Sequence, residues 1–156
     1  MTITPFETFL EENRRPVMRF LLAAVGSGHA DDVFQETFLA ALRAYPRVVD
    51  DGRLDRWVLR IASRKAIDHH RRTARGPIPV ETVPDEAVDG AGPADDALWD
   101  AVAGLPPRQR VAVVHRFVFD RPYAEIGELM GSSAETARAN VSQGMRRLRE
   151  QVRWTD

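Results

Sequence analysis

The most regular feature of the sequence is the recurrence of apolar residues every three or four positions, the spacing of amphipathic helices. In the first half it predicts helices over residues 5–25, 30–45 and 54–75. In the second half it predicts helices over residues 95–103 and 106–119. The expected core of the first half consists of Phe6, Phe9, Leu10, Val17, Phe20, Leu21, Phe34, Phe38, Ala41, Leu42, Tyr45 and Trp57. Neither a strand pattern nor a repeat is present in the sequence, and the predicted fold class is therefore all-α.

The stretch from residue 123 to residue 150 predicts two further helices joined by a tight turn. Ile126, Leu129 and Met130 line the inner side of the first helix, and residues 131–133 supply a glycine turn and a capping hydroxyl. The second helix has an apolar face made of Ala137, Val141, Gly144, Met145 and Leu148, and its other face is polar and rich in arginine. This layout is typical of a helix-turn-helix, whose second helix enters the major groove of DNA. An ordinary helical hairpin with a solvated outer face is the alternative.

A segment without a helical pattern separates the two sets of helices. Residues 76–93 contain four prolines, three glycines and several acids, and too few apolar residues to pack. We therefore predict two small helical domains, residues 1–75 and 95–156, joined by an acidic flexible linker over residues 76–94. The net charge of −1 divides in the same way, into +3 for residues 1–75, −6 for residues 76–97 and +2 for the remainder. Two mildly basic lobes thus flank an acidic strip, and local charge is what governs contact with phosphates.

Composition limits the class of protein further. The chain has 156 residues, of which 44% are apolar and 29% are charged, ordinary values for a globular protein. Cysteine is absent, so disulfides and thiolate metal sites are excluded and a reducing compartment fits. The longest apolar run covers residues 20–25, which is too short to span a membrane, and no signal-peptide pattern opens the sequence. We expect a cytoplasmic protein without membrane insertion.

Basic residues form a stripe on the helix predicted over residues 54–75. At about 100° per residue, one arc of this helix carries five arginines, whereas Leu54, Trp57 and Ile61 fall on the adjoining arc. The arginines of the stripe are Arg56, Arg60, Arg64, Arg71 and Arg75. Such a helix can pack on a core while it presents cations to phosphates. A solvated charged face is the alternative, but the clustering of one sign of charge favours a nucleic-acid surface.

Histidine-containing segments give no sign of catalysis. The triplet Asp68-His69-His70 matches the signature of a phosphoesterase family, but the sequence shows no further set of aspartates to hold two metals. The acidic pair that ends at Asp32 could bind a metal with the preceding histidine, but capping of the next helix is the favoured role. His115 lies among valines and is expected in the core. We predict that the chain is not an enzyme and has no catalytic residue, metal site or cofactor.

Several segments taken together resemble the extracytoplasmic-function (ECF) family of RNA polymerase sigma factors. Residues 30–39 (ADDVFQETFL), 57–62 (WVLRIA) and 66–72 (AIDHHRR) are similar to conserved region 2 of that family. Residues 105–110 (LPPRQR) and 123–126 (YAEI), followed by the predicted recognition helix, are similar to its region 4. The segments occur in the family's order over nearly the whole chain, with an acidic linker where the family has one. Their ordered combination is far more specific than any single motif.

The resemblance implies roles for three groups of residues. The helix that would bind the clamp helices of core RNA polymerase carries Asp32, Val33, Gln35, Glu36 and Phe38. The melted strand and the upstream duplex of the −10 element would be held by Arg60, Arg64, Lys65, His69, Arg71 and Arg72, next to a base-capturing loop over residues 48–54. The −35 element would be read by Arg138, Ala139, Asn140, Ser142 and Gln143, with Thr136 and Arg146 on phosphates.

Three departures from the family pattern concern DNA specificity. Arg64 stands where family members often have asparagine, which predicts a different −10 preference. Asn140 and Gln143 stand where basic residues are common. Because amides pair bidentately with adenine through N6 and N7, these two residues suggest adenine readout in the −35 element. The loop over residues 48–52 is more acidic than a base-capturing loop needs to be.

The functional prediction is a sigma factor that binds core RNA polymerase, recognises −35 DNA with its second lobe and melts −10 DNA with its first. Base capture and binding energy would drive strand opening. Two alternatives are a stand-alone helix-turn-helix regulator and a sigma-like decoy that binds an anti-sigma protein. A stand-alone regulator has no use for the polymerase-binding helix or the arginine stripe. An anti-sigma protein is also a candidate partner of a functional sigma factor.

Overall fold

The computed structural model describes residues 4–49, 52–75 and 93–151. These residues form helices and turns with no strand among them, which confirms the predicted all-α class. The helices are α1 (Phe6–Val25), α2 (Ser27–Ala44), α3 (Leu54–Arg75), α4 (Pro93–Ala103), α5 (Pro107–Val113), α6 (Tyr123–Leu129) and α7 (Ala134–Gln151). A 3₁₀ turn, Tyr45–Arg47, follows α2, and a π-helical segment, Val114–Val118, continues α5. The predicted linker lies outside the described residues apart from its last two positions.

Helices α1, α2 and α3 pack together as a three-helix bundle, the first lobe. Phe9, Phe20 and Leu21 of α1 are almost completely buried in its core. The ring centroid of Trp57 lies 5.7 Å from that of Phe9, so Trp57 packs on the core as predicted. α1 ends at Gly26, whose φ of 85° is a left-handed conformation that glycine adopts without a steric penalty.

Two sequence predictions in the first lobe are wrong. Asp32 does not cap α2, because this helix begins earlier, at Ser27, immediately after Gly26. Leu42 is not in the core and is 48% exposed. It follows the buried Phe38 by one helical turn, but it lies at the edge of the buried face of α2, beside the fully buried Ala41.

Helices α5, α6 and α7 form the second lobe, and α4 packs against α7. α6 and α7 are the two helices of the predicted helix-turn-helix. Gly131, with a φ of 68°, lies in the turn between them, and the Oγ of Ser133 accepts a hydrogen bond from the backbone N–H of Thr136 at 3.1 Å. The predicted glycine turn and capping hydroxyl are both present. Gly127 packs so closely on the turn that a Cβ there would lie 2.6 Å from the carbonyl carbon of Ser133.

The helix predicted over residues 106–119 is only partly α-helical. α5 begins at Pro107, in the first turn of the helix. A backbone N–H at this position has no partner within the helix, so proline, which lacks the N–H, loses no hydrogen bond there. After Val113 the hydrogen bonding widens to the π-helical spacing. His115 lies in this wider segment and is completely buried, whereas Phe117 is 58% exposed.

The two lobes pack against each other, although the composition of the linker suggested two separate bodies. α3 of the first lobe contacts α5 and α6 of the second, and α1 contacts the π-helical segment. α3 therefore lies at the centre of the molecule. One of its sides faces the first-lobe core, and another faces the second lobe.

Candidate nucleic-acid interface

Helix α7 brings the predicted −35 residues together on one accessible side. Thr136, Arg138, Ala139, Ser142, Gln143 and Arg146 are exposed, and Asn140 is half-buried. Ala137, Val141, Gly144 and Leu148 are buried against the rest of the second lobe, as the apolar spacing predicted. The helix thus presents a continuous polar and basic face that is free to approach DNA.

The ring of Tyr123, at the start of α6, contacts two arginines. The guanidinium carbon of Arg116 lies 4.4 Å from the ring centroid, and that of Arg138 lies 5.2 Å from it. A cation over an aromatic face is attracted by the ring quadrupole, so Tyr123 limits the positions that Arg138 can take. Sequence reasoning missed this role, because Tyr123 and Arg138 lie on different helices and no local pattern connects them.

Two other residues of the α7 face are held by neighbouring side chains. The Oγ of Ser133 donates a hydrogen bond to the Oγ1 of Thr136 at 3.0 Å, in addition to capping the helix. The Nε2 of Gln109, on α5, donates to the Oε1 of Gln143 at 3.2 Å. Part of the hydrogen-bonding capacity of this surface is therefore already used within the protein.

The predicted −10 residues on α3 differ in how accessible they are. Arg60, Arg64, Arg71 and Arg72 are exposed, whereas Lys65 and His69 are half-buried. Arg72 forms an ion pair with Glu36 of α2, with 3.2 Å between Nη2 and Oε2. The side chain of Arg75 lies outside the described part of the chain.

The beginning of α3 is covered by α6 of the second lobe. The Nε of Arg56 lies 3.9 Å from the Oε1 of Glu125, and its Nη1 lies 3.5 Å from the Oε2 of Glu128. The Nη1 of Arg53 lies 3.8 Å from the Oε1 of Glu128. These pairs are open to solvent, so each is worth less than about 1 kcal/mol. They nevertheless place carboxylates of the second lobe against the arginine stripe of the first.

A cavity of about 210 Å³ lies beside these ion pairs. Its lining includes the ring of Trp57 and the guanidinium of Arg60 on one side, and Glu128 and Leu129 of α6 on the other. Val48 and Val49 of the predicted base-capturing loop also line it, while residues 50 and 51 lie outside the described residues. An aromatic ring beside arginines suits a flipped base, but here one wall of the cavity comes from the other lobe.

His69 is neutral in the structure at neutral pH. Burial, together with the nearby His29 and Arg72, holds the pKa of His69 below its ordinary value. The ring centroids of His69 and His29 are 4.7 Å apart. A neutral imidazole can donate one hydrogen bond to a DNA backbone, but it does not attract phosphate by charge.

A buried polar network joins the two lobes at His115, and we call this contact the lobe junction. The Nη1 of Arg121 donates to the Nδ1 of His115 at 3.0 Å, which leaves the proton on Nε2. That nitrogen donates to the Oγ of Ser63 at 2.9 Å, and Ser63 in turn donates to the carbonyl oxygen of Leu59 at 2.8 Å. The imidazole also stacks on Phe20, with ring centroids 4.5 Å apart and an interplanar angle of 6°.

Burial and the neighbouring Arg121 lower the pKa of His115 to about 3, so His115 is neutral under physiological conditions. The prediction that His115 is a core residue is correct. The core to which it belongs is the boundary between the lobes, because Ser63 and Phe20 come from α3 and α1. Each polar atom of the ring has a partner, as a buried imidazole requires.

His70 makes a second polar contact between the lobes. Its Nε2 donates to the carbonyl oxygen of Ala24 at 2.7 Å, and the Nη1 of Arg110, from α5, lies 3.4 Å from its Nδ1. Burial and Arg110 lower the pKa of His70 to about 4, and burial lowers the pKa of Arg110 to about 10. His70 of the phosphoesterase-like triplet therefore has a packing role.

The described residues contain neither a cluster of metal ligands nor a membrane-spanning helix. No group of three or more histidine, cysteine, aspartate or glutamate residues in the described part of the chain could hold a metal ion. None of its helices is long and apolar enough to cross a lipid bilayer.

The predicted polymerase-binding helix, α2, is only partly accessible. Asp32 and Gln35 are exposed, and Glu36 is half-buried beside Arg72. Val33 and Phe38, however, are 1% and 6% exposed and lie in the first-lobe core. In this conformation the two side chains cannot touch a partner directly, and the assignment of α2 to polymerase binding stays a prediction. They hold α2 on the lobe.

Two leucines on α2 were missed as candidates for contact with a partner. Leu39 and Leu42 are 52% and 48% exposed, and they follow Gln35 by one and two helical turns on the same side of the helix. The apolar spacing gave no local signal for them, because it placed Leu42 in the core, and the packing of α2 decides where its buried face ends. Together with Gln35 they make an accessible apolar and polar strip.

Comparison with known proteins agrees with this geometry. The Sigma-70 region 2 family model matches residues 9–76, and the Sigma-70 region 4 family model matches residues 95–148. The two lobes therefore carry the two regions that define a sigma factor of the sigma-70 class.

Similar sequences identify the group within that class. The ECF RNA polymerase sigma factor SigD of Mycobacterium tuberculosis (strain ATCC 25618 / H37Rv) is 32% identical, over 92% of this chain and 74% of the relative. The RNA polymerase sigma factor CarQ of Myxococcus xanthus is also 32% identical, over 93% of this chain and 87% of the relative. The chain belongs to the ECF family of RNA polymerase sigma factors, as the sequence motifs predicted. It binds core RNA polymerase and promoter DNA, and it directs transcription initiation to promoters.

A solved structure shows the same overall fold. The sigma factor RpoE of Bartonella quintana, in complex with the anti-sigma factor NepR, superposes with a TM-score of 0.74 over 97% of this chain and 98% of that one. The two sequences are 17% identical, so the fold is shared although most side chains differ.

Proposed function

We propose that α7 reads the −35 element and that α3 holds the −10 element of the same promoter. The observation that carries this proposal is a pair of exposed basic faces, one on each lobe. Arg138 and Arg146 belong to the face on α7, and Arg60 and Arg64 to the face on α3. Cations on two helices can neutralise phosphates at two places along one duplex, which fixes the register of the protein on DNA.

On α7, the residues divide by their position on the helix. Thr136 and Arg146 would contact phosphates, whereas Arg138, Ala139, Asn140, Ser142 and Gln143 would face base edges. Asn140 is half-buried but lies on the polar face of α7, so its amide is accessible to a base. Adenine is the base that an unconstrained amide pairs with at both N6 and N7. An Asn140→Ala protein should therefore lose a preference for adenine at one −35 position in a promoter-variant selection.

On α3, Arg60, Arg64 and Lys65 would hold the melted −10 strand. Further along the helix, Arg71 and Arg72 would contact the upstream duplex backbone, with His69 donating a hydrogen bond. The cavity next to Trp57 supports base capture, since flipping a base costs a few kcal/mol that a stacking surface and backbone cations must offset. In this proposal, binding energy opens the strands, and no catalytic residue or cofactor takes part.

On α2, the accessible strip suits the coiled clamp helices of a large partner. Asp32, Gln35 and Glu36 supply charges and an amide, and Leu39 and Leu42 supply apolar area. Helix-on-helix interfaces combine these groups, with apolar contacts at the centre and polar ones at the rim. Leu39→Ala/Leu42→Ala should weaken assembly with core polymerase without changing DNA preference, and a binding titration with purified core polymerase would measure it.

In-vitro transcription with core polymerase and a promoter library tests the proposal. The wild-type chain should give specific transcripts. Arg138→Ala/Arg146→Ala should remove dependence on the −35 sequence, and Arg60→Ala/Arg64→Ala should remove strand opening at the −10 element. Arg15→Ala/Arg19→Ala is a matched control, since both residues are exposed arginines on α1, a helix that carries none of the proposed surfaces.

The same assay distinguishes the alternatives. A stand-alone regulator would bind duplex DNA but give no transcript with core polymerase. A decoy would give no transcript and would relieve inhibition when added to a sigma factor held by its anti-sigma protein. Specific transcripts that are unaffected by either arginine pair would show that the assignment of surfaces is wrong even though the protein is a working sigma factor.

A further inference from the structure

Gln109 is a buried amide directly beneath the proposed −35 surface. It lies on α5, is 8% exposed, and makes its side-chain hydrogen bond to Gln143, one of the proposed base-reading residues. Gln109 itself faces α7 rather than solvent. Any influence that it has on DNA must therefore act through Gln143.

The contact between α5 and α7 fixes where the Gln109 side chain lies. Gly144, next to Gln143, allows the two helices to approach closely: a Cβ at position 144 would lie 2.8 Å from the Cγ2 of Val113 and 3.5 Å from the Cβ of Gln109. Close helix packing of this kind leaves the Gln109 amide little freedom to move. The bond from Nε2 of Gln109 to Oε1 of Gln143 is thus part of the helix interface.

The direction of that bond determines what Gln143 offers to a base. With its Oε1 accepting from Gln109, the Gln143 side chain presents its NH₂ group as the free end. An NH₂ donor matches the acceptors of the major groove, which are N7 and O6 of guanine, N7 of adenine and O4 of thymine. Bidentate adenine readout also needs the Oε1 as an acceptor for N6. An amide oxygen has two lone pairs, so the bond from Gln109 leaves one of them for a base and restricts the orientation in which the amide can offer it.

We propose that Gln109 is a positioning residue for promoter specificity, which holds the amide of Gln143 in one orientation and thereby limits the bases that it can select. This proposal rests on the proposed function, in which α7 reads the −35 element.

The test uses the holoenzyme, assembled from the full chain and core polymerase, with a promoter library randomised over the −35 element. Gln143→Ala identifies the base position that Gln143 contacts. Gln109→Met removes the donor with a side chain of similar volume. Gln109→Glu can only accept from Gln143, so it turns the Gln143 amide and presents the oxygen instead. Melting temperatures of the variants establish that the second lobe is folded, and Gln109→Met remains informative if the buried carboxylate of Gln109→Glu prevents folding.

We expect all three variants to act at the same base position. Gln109→Met should relax the preference there by about fivefold or more, the discrimination that one good base contact provides. Gln109→Glu should shift the preference towards bases that carry a donor, adenine and cytosine. The proposal is overturned if Gln143→Ala changes the preference while both Gln109 variants keep the wild-type profile, although the proposed function would then stand. An unchanged profile for Gln143→Ala itself would overturn both this proposal and the assignment of Gln143 to base readout.

Discussion

The two proposed DNA surfaces of this sigma factor differ in their accessibility. The α7 face of the second lobe is open along its length, whereas the start of the α3 face is covered by α6. Glu125 and Glu128 of α6 ion-pair with Arg56, and Glu128 also forms a wall of the cavity beside Trp57. The conformation that we describe therefore leaves the proposed −35 surface open, whereas α6 lines one side of the cavity that is proposed to capture a −10 base.

The difference shows that α3 has two kinds of contact. It packs against the second lobe in this conformation, and in the proposed function it holds promoter DNA. α3 faces the second lobe through Ser63, which is buried, while Arg56 and Arg60 lie near the edge of the same contact. Exposed ion pairs at such an edge contribute little to stability, whereas the lobe junction at His115 is desolvated and fully hydrogen-bonded. The junction therefore sets the geometry, and the ion pairs only shield the cations.

The largest expected effect comes from breaking the lobe junction itself. His115→Ala removes a completely buried ring that stacks on Phe20, and it should lower the free energy of unfolding by about 3 kcal/mol, as for other large buried rings. Loss of the junction should also uncover the start of the proposed −10 surface on α3. Urea unfolding followed by tryptophan fluorescence measures the stability. Phe117→Ala is the control, because Phe117 lies nearby but is 58% exposed and its loss should change stability by less than about 0.5 kcal/mol.

The second prediction affects only the −35 surface. Gly127→Ala should destabilise the helix-turn-helix by about 1–3 kcal/mol, because the new Cβ would meet backbone atoms of Ser133, which cannot turn aside as a side chain can. Binding of a −35 duplex should weaken, while binding of a −10 single strand should not. At Gly104, an added Cβ has its nearest neighbour at 3.5 Å, so Gly104→Ala should leave both unchanged. Equal effects of the two substitutions would contradict the close approach at Gly127.

The third prediction concerns pH and again acts through the lobe junction. The pKa of His115 is lowered to about 3 in the folded protein, from an ordinary value of about 6.5 in an unfolded chain. The stability that this neutral histidine provides is present above about pH 6.5 and is lost as the pH falls towards 3. At pH 5.5 the loss should be about 1 kcal/mol, since one pKa unit corresponds to about 1.4 kcal/mol.

The measurement is the difference in unfolding free energy between the wild type and His115→Gln across this range. His70, whose pKa is lowered to about 4, contributes in the same direction in both proteins and cancels in the difference. If the two proteins lose stability in parallel between pH 7 and pH 5, the buried neutral state of His115 is not what links folding to pH.

The smallest effect on stability, below about 1 kcal/mol, is expected for Glu128→Gln, which removes one exposed carboxylate from the arginine stripe and leaves the Glu125–Arg121 pair beside the lobe junction intact. The free chain should then bind a −10 single strand about two- to fivefold more tightly, since Arg53 and Arg56 lose a competing anion. Binding of a −35 duplex should rise less. Fluorescence anisotropy with labelled oligonucleotides measures both.

A matched control separates shielding from net charge. Glu11→Gln neutralises one exposed acid on α1 and changes the net charge of the chain by the same amount. If this control tightens strand binding as much as the α6 variant does, the gain is a general electrostatic effect. The coverage of the α3 face by α6 would then have no effect on DNA binding.

The sequence by itself determined the helices, the helix-turn-helix and the family. The signals for these features are local: they are the periodic apolar residues, the glycine at 131 and the hydroxyl of Ser133. Each acts over a few positions, so the helices and the turn can be predicted without knowing the rest of the fold. The polar face of α7 was predictable for the same reason. The start of α2 was not, because Gly26 allowed the chain to turn and begin a new helix sooner than the apolar pattern indicated.

Only the tertiary structure decided which residues of each face are accessible and what they contact. Val33 and Phe38 looked like partner-binding residues but are buried, and Leu42 looked like core but is exposed, because the packing angle of α2 determines where its buried face ends. The His115 network and the Gln109–Gln143 bond join residues 52 and 34 positions apart. Contacts over such separations depend on how whole helices pack, and no local spacing in the sequence encodes them.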